Sequence, residues 1–386
     1  MNDVLRHAEA ALAASKRLEP RTSGIHEMLL SVALAANGRL AEALTMLRVA
    51  LEATEAAGRM YFVVQGQWNR AFWLLAQGCL DDARGEARAA AATAEELGYT
   101  VHSSRGLVVL AEAALRQGDS TEARATLARF APTPTAGSMP DRPWAAVLAA
   151  QARGDKHALA EALEPIRAQL AVGCFAISIT QHHRLPQLTQ IALSADQPEA
   201  AASFAQAAST LAKQNPHVES LLAAEAHAAG LITHDANLLE QAVEHAARSE
   251  QRLLEAAALE DLGRTLSVQN DTQAAALHLE HAHDLYARAG AHNDTARTRA
   301  ALRAIGIRKR QTAVARAQHG WESLTKSERR VADLIAQGMT NREAANELFL
   351  SPDTINTHLR HAFLKLGIRS RVRLARLVAE RQLTTP

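Results

Sequence analysis

Aromatic side chains are scarce in this chain, with 7 Phe, 3 Tyr and 4 Trp among 386 residues. Strands draw on aromatic and β-branched residues, so a sequence this poor in aromatics and this rich in alanine leans towards helix. Cysteine is almost absent: Cys79 and Cys174 stand far apart. Two lone thiols read as small core residues in a reducing compartment, not as a disulfide or a metal pair. No apolar run approaches the roughly 18 residues of a membrane span, and the N-terminus has no basic start followed by an apolar stretch. The expectation is a cytoplasmic protein with no membrane partner. No glycine is followed by lysine, so the phosphate-cradling loop G-x-x-x-x-G-K-[ST] cannot occur, and no G-x-S-x-G elbow is found. Without these motifs the chain is read as a non-enzyme, with no catalytic residue and no cofactor.

What is present divides by charge. Residues 301–386 carry 16 Lys and Arg against 7 Asp and Glu, while the first 300 residues carry 26 against 34. A basic end on an acidic body is the pattern of a nucleic-acid-binding module joined to a body that does not bind nucleic acid. Between them Arg303, Arg308, Lys309, Arg310 and Arg316 occur with no acid. This marks a basic linker, placed at 306–320, which serves either as a solvated tether or as an extra source of phosphate contacts.

The acidic body, residues 1–305, repeats. Turn signals recur at Asn37-Gly38, Gln77-Gly78, Gln117-Gly118, Arg153-Gly154, Ala195-Asp196, His234-Asp235 and Asn270-Asp271, roughly 40 residues apart. Ala43, Ala83, Ala123, Ala200 and Ala275 follow the turns at one offset, and Ala50, Ala90, Ala207 and Ala282 at a second. Small residues so placed let two antiparallel helices pack closely. The pattern resembles lengthened tetratricopeptide repeats, and stacked helical hairpins of that kind build a superhelix with a concave side. Four of the eleven prolines fall within 131–143, which predicts a long loop or hinge there. That loop and the aromatic group Tyr61, Phe62, Trp68, Phe72 and Trp73 are candidate surfaces for a partner or ligand, with repeat core as the commoner use of such aromatics. In the densest histidine cluster, His278 and His281 share a helical face. Without a second ligand pair at a recognised spacing no metal is expected, and His182-His183 and Glu244-His245 are weaker still.

Residues 321–386 announce helix starts repeatedly. Thr325 with Glu328 and Thr340 with Glu343 fit capping boxes. Ser351 precedes Pro352 as a further cap, and Leu350 with Ile355 fits a hydrophobic staple. Gly338 and Gly367 follow helix ends. Three helices of about 12, 8 and 15 residues result, joined by short turns. In the third, Ile355, Leu359, Ala362 and Leu366 form the inner stripe, leaving Asp353, Asn356, Thr357, Arg360, His361 and Leu364 outward. Outward Asn, Thr and Arg near a helix N-terminus are side chains that read base edges by paired hydrogen bonds. A last helix starts at Ser370, with the apolar stripe Val372, Leu374, Ala375, Leu377 and Val378.

Leu324-Thr325, Glu328-Arg329, Leu334-Ile335-Ala336, Gly338, Asn341-Arg342-Glu343, Leu350-Ser351, Thr354-Ile355, His358 and Lys365-Leu366-Gly367 resemble the LuxR-type helix-turn-helix signature. Gly320-Trp321-Glu322-Ser323 and Gly367-Ile368-Arg369-Ser370-Arg371 are similar to the C-terminal domain of the large MalT-like (LAL) regulators of bacteria. The resemblance implies that Asn356, Thr357 and Arg360 contact bases and that Thr340, Asn341, Arg342 and Lys365 hold the DNA backbone. It also implies that the last helix, through Val372, Leu374, Leu377 and Val378, pairs two subunits on DNA. Asn356 departs from the basic residue more usual there, and Ala344 and Ala362 replace larger aliphatics. MalT-like regulators carry an ATPase module upstream of their repeats, and this chain resembles one that begins after it.

The sequence therefore predicts an all-α protein. A tetratricopeptide-like superhelix (1–305) is followed by the basic linker (306–320) and a four-helix LuxR-type helix-turn-helix domain (321–386). The expected function is transcriptional regulation on double-stranded DNA, as a homodimer, with a protein or small-molecule effector on the repeats and RNA polymerase as a further candidate partner. The alternative is a protein-interaction scaffold whose C-terminal module does not read DNA.

Overall fold

The computed structural model describes residues 2–15, 24–130, 141–171, 182–307, 320–368 and 370–384. Among these, all regular structure is helical, and the chain divides into two compact units, Met1–Arg308 and Lys309–Pro386. The first unit begins with α1 (Asn2–Ser15), followed by helical hairpins α2 (Ile25–Ala36) with α3 (Leu40–Ala56), α4 (Met60–Ala76) with α5 (Leu80–Glu96), and α6 (Thr100–Gln117) with α7 (Ser120–Ala128). Next come α8 (Arg142–Arg153) with α9 (Lys156–Ala171), α10 (Arg184–Ser194) with α11 (Pro198–Gln214), α12 (Glu219–Thr233) with α13 (Ala236–Arg248), and α14 (Arg252–Val268) with α15 (Thr272–Ala289). A single helix α16 (His292–Ala304) completes the unit. Most of the Pro-rich stretch, most of the basic linker and Cys174 lie outside the described residues. Of the Pro-rich stretch, Arg142 and Pro143 open α8, where a proline in the first turn forfeits no helical hydrogen bond.

Each hairpin turns where the backbone becomes left-handed: at Gly38, Gly78, Gly118 and Gly154, then at Asp196, His234 and Asn270. The seven sequence turn signals fall on these points. Between hairpins, Gly58 and Gly98 adopt the same conformation, so the early repeats consist of two equal half-periods of helix and turn. The alanines do what their size allows. Ala43, Ala50, Ala83, Ala90, Ala123, Ala275 and Ala282 are completely buried, Ala200 nearly so, and Ala207 partly.

Two helix backbones approach closely at Gly106 on α6. A Cβ there would lie 2.9 Å from the Ala87 carbonyl oxygen and 3.1 Å from the Ala91 amide nitrogen of α5. Gly106→Ala must therefore separate the two helices, at a cost of about 1–3 kcal/mol. The expected result is a lower urea midpoint for the repeat unit; an unchanged midpoint would show that the helices have room to spare.

Trp68, Phe72 and Trp73 are buried repeat core, with the Arg105 and Arg184 guanidiniums over Trp68 and Phe72 at 4.5 and 5.4 Å, while Tyr61 remains about half exposed. The described cysteine, Cys79, is partly buried. His278 and His281 belong to no group of metal-ligating residues among those described. No described helix is long and apolar enough to cross a membrane.

The unit also closes on itself. α4 touches α14, and α6 touches α16. Glu250, between α13 and α14, accepts the Ala41 amide at 2.6 Å and the Gln77 side chain at 3.4 Å. Asn293 donates to the Leu115 carbonyl, and Arg116 faces Asp294 at 3.3 Å. The first three hairpins and the stretch from Glu250 to α16 share a polar seam, and α4, α6, α8, α10, α12 and α14 form the inside of the closed turn.

Among its described residues the second unit contains a 3-10 turn (Trp321–Ser323) and four helices: α17 (Lys326–Ala336), α18 (Asn341–Leu348), α19 (Pro352–Leu366) and α20 (Arg371–Thr384). α17 is the hub, packing against the other three.

Candidate nucleic-acid interface

Local chemistry fixes where each helix of the second unit begins. Thr325 Oγ1 accepts the Glu328 amide at 3.2 Å while Glu328 accepts the Thr325 amide at 2.7 Å. Thr340 and Glu343 repeat this reciprocal box at 3.2 and 2.7 Å. Those bonds from Thr340 hold the Glu343 carboxyl below its ordinary pKa. Ser351 caps α19 by accepting the Thr354 amide at 3.2 Å, and Ser370 caps α20 by accepting the Arg373 amide at 3.2 Å. Each cap satisfies a donor that helix geometry leaves orphaned.

α18 and α19 are joined by three residues. Phe349 takes φ +58°, a conformation unusual for an aromatic residue, and so ends α18 abruptly. Leu350 and Ile355 are both buried, as the two halves of a staple should be. Val331, Ala332, Ile335, Ala344, Ala345, Leu359 and Ala362 complete the core, with Leu334, Leu348 and Leu366 partly exposed around it. Thr354 and His358 of α19 are buried as well, although polar.

This packing leaves one face of α19 outward. Asp353, Asn356, Arg360 and Leu364 are exposed, and Thr357 and His361 half-exposed, so the structure brings the predicted base-reading residues together on one stripe. Burial and the neighbouring Arg360, His358 and Lys365 charges hold His361 below its ordinary pKa despite Glu328, so the ring is neutral at neutral pH. At the start of α18, Arg342 is exposed and Asn341 partly so, beside the Thr340 cap.

Three other predicted residues are placed differently. Lys365 turns its ammonium inward onto Glu328, at 2.7 and 2.6 Å from the two carboxylate oxygens. Its charge ties the C-terminal end of α19 to the first turn of α17, so it positions the outward helix. Leu374 and Val378 are buried within the unit's own core, because α20 lies against α17. Of the predicted pairing stripe, exposed Val372 and half-buried Leu377 remain accessible. Sequence reasoning missed Arg371, which donates to the Met339 carbonyl at 3.2 Å and to Asn341 Oδ1, and so fixes the turn before α18. It also missed the Gly320 amide donating to the Lys365 carbonyl at 2.8 Å, which anchors the lead-in to the end of α19. Arg381 stacks on Trp321 at 4.8 Å on the same unit.

Residues 322–378 match the family described as bacterial regulatory proteins, luxR family. An HTH-type transcriptional regulator of Mycobacterium tuberculosis is 44% identical over 81 residues, 21% of this chain and 8% of that protein. The transcriptional regulatory protein UhpA of Escherichia coli is 49% identical over 55 residues, 14% of this chain and 28% of UhpA. The spore germination protein GerE of Bacillus subtilis is 46% identical over 48 residues, 12% of this chain and 65% of GerE. This chain thus spans a small part of the mycobacterial and E. coli relatives. A circular tandem repeat protein aligns with 99% of the chain and 90% of its own at 15% identity, with a TM-score of 0.17 that is too low to bear on the fold.

Proposed function

The second unit is a LuxR-family helix-turn-helix module, and from that premise we propose that the chain is a sequence-specific transcriptional regulator whose repeat unit senses a ligand or protein partner. The observation that carries this reading is the outward stripe of α19, a capped and stapled helix with Asn356, Thr357 and Arg360 free of the core. In this reading α19 lies in the major groove. Asn356 and Arg360 supply paired hydrogen bonds to purine edges, and Thr357 adds a hydroxyl or methyl contact. Thr340, Asn341 and Arg342 hold the phosphate backbone at the N-terminus of α18, where the helix dipole also favours an anion. Lys365 and Arg371 set the positions of α19 and Asn341. Two copies on DNA pair through α20 using Val372 and Leu377, and sedimentation showing one copy on a saturated duplex would remove that part.

The test begins with selection of a preferred duplex from random sequence by the full chain, followed by binding measured across salt. Specific affinity should fall steeply with salt, by a log–log slope of about 0.9 for each phosphate neutralised. Arg342→Ala should weaken selected and random duplexes alike and reduce the slope by about one. If no duplex is selected and retention is insensitive to salt, the module does not read DNA.

A further inference from the structure

The inner helices of the first unit surround a cavity of about 100 Å³, room for a few waters or one small molecule. Successive hairpins contribute to its wall. The contribution slides from the C-terminal end of α4, at Leu75, to the middle of α14, at Asp261. α16 closes the circuit with Asp294 and Arg297.

The carboxylates of this wall already have donors within the protein. Glu112 accepts from Trp144 Nε1 at 3.1 Å and Arg184 at 3.4 Å, with Arg116 at 3.5 Å. Asp294 meets Arg116 at 3.3 Å and Arg297 at 2.8 Å. Asp261 meets Gln190 at 3.2 Å and His227 at 2.8 Å. Both wall arginines are thereby paired, so an incoming anion would find no unspent cation, and an incoming cation no carboxylate without a donor, in a place shielded from water.

Neutral hydrogen-bonding capacity, by contrast, is left over. Arg116 Nε, His183 Nδ1, His227 Nδ1 and Gln251 Oε1 are buried with no hydrogen-bond partner in the protein, and all four residues line this cavity. His227 and Gln251 are 2% and 3% exposed. Buried polar atoms are costly to leave unsatisfied, and four around one cavity indicate something absent from the polypeptide itself. The His227 ring donates Nε2–H to the Asp261 carboxylate, which leaves Nδ1 as its unused ring nitrogen, and Gln251 Oε1 is an acceptor. Arg116 Nε–H is a donor. Burial and the Arg184 charge push the His183 pKa well below its ordinary value, so His183 adds no charge to the wall at neutral pH. Leu75, Pro186, Leu253 and Leu254 provide an apolar part of the lining for a carbon skeleton.

We propose that this cavity is an effector site for an uncharged small molecule. That molecule presents an N–H or O–H donor to Gln251, a carbonyl or hydroxyl oxygen to Arg116 and a polar atom to His227 Nδ1. The inference rests on the first unit being the sensing part. Because the wall includes residues from both sides of the seam, an occupant binds the closed form and favours it over any opened one.

The test uses three probes of one shape: benzamide (two N–H donors and a carbonyl, no charge), benzoate (negative) and benzamidinium (positive). Each is titrated at millimolar concentration into the full chain and followed by saturation-transfer NMR. Benzamide should bind, and the two charged probes should bind at least about tenfold more weakly. Gln251→Leu and His227→Phe should each weaken benzamide by about tenfold, the loss of one net hydrogen bond, while circular dichroism melts show a folded repeat unit. If one replacement does not fold, the other decides. Charged probes binding as well as benzamide would overturn the proposal. So would undiminished binding by a folded variant, or no binding by any probe, which would leave a cavity filled by water alone. No arm of this test involves DNA, so its failure leaves the reading of the second unit standing, and failure of that reading leaves this result intact.

Discussion

Arg360→Ala is expected to weaken binding to the selected duplex by about 5- to 150-fold, or about 1–3 kcal/mol, while binding to random duplex changes far less. The asymmetry follows from position. Arg360 is exposed on the outward stripe of α19, one turn beyond Asn356, while the buried residues of the same helix are Ile355, Leu359 and Ala362. Removing the guanidinium should leave those packing contacts in place, so the module's melting temperature should hold. A phosphate contact would give the opposite signature, an equal loss on every sequence with a shallower salt slope, as expected for Arg342. Equal losses on selected and random duplexes, measured by gel shift at one salt concentration, would remove Arg360 from the base-reading set.

The largest loss of stability is expected at Arg70. Its guanidinium, on α4, meets Glu86 on α5, with Nε at 2.8 Å from the carboxylate, and the two side chains are 7% and 0% exposed. Replacing it by Met keeps much of the volume but takes the cation away from a carboxylate that water does not reach. Breaking a buried pair from one side costs about 3–5 kcal/mol, whereas exchanging both members for apolar groups is often near neutral. Arg70→Met should therefore lower the repeat unit's melting temperature by on the order of 10 °C, and adding Glu86→Leu should restore most of it. A single replacement costing under about 1 kcal/mol, or a double as damaging as the single, would mean that water or another donor satisfies Glu86.

The parts legible beforehand were those written in local chemistry. Ser351-Pro352, the Thr325 and Thr340 boxes and the turn pairs from Asn37-Gly38 to Asn270-Asp271 specify their own backbone, and each helix starts or turns where they stand. A stronger signal was missed: Gly38, Gly58, Gly78, Gly98 and Gly118 are evenly spaced, which marks the turns between hairpins as well as those within them. The illegible parts involve partners distant in sequence. Glu328 reads as half of a capping box and Lys365 as a DNA contact, and nothing along the chain shows that the end of α19 lies over the start of α17. The stripe on α20 has the same apolar period whether it faces a second copy or its own bundle; burial of Leu374 and Val378 settles that only in three dimensions. The cavity's polar residues share no linear motif, because they are scattered over α6, α10, α12, α14 and α16.

An open stack of repeats behaves as a spring: its pitch can change by small increments, and a perturbation at one end fades before it reaches the other. Fastening α4 to α14 and α6 to α16 removes that freedom. Small rotations can no longer accumulate along the array without straining Glu250, Arg116 and Asp294 at the join. Any large rearrangement of this unit must therefore part the join first. Under the sensing role proposed above, that would give a threshold, a response that is off or on instead of graded.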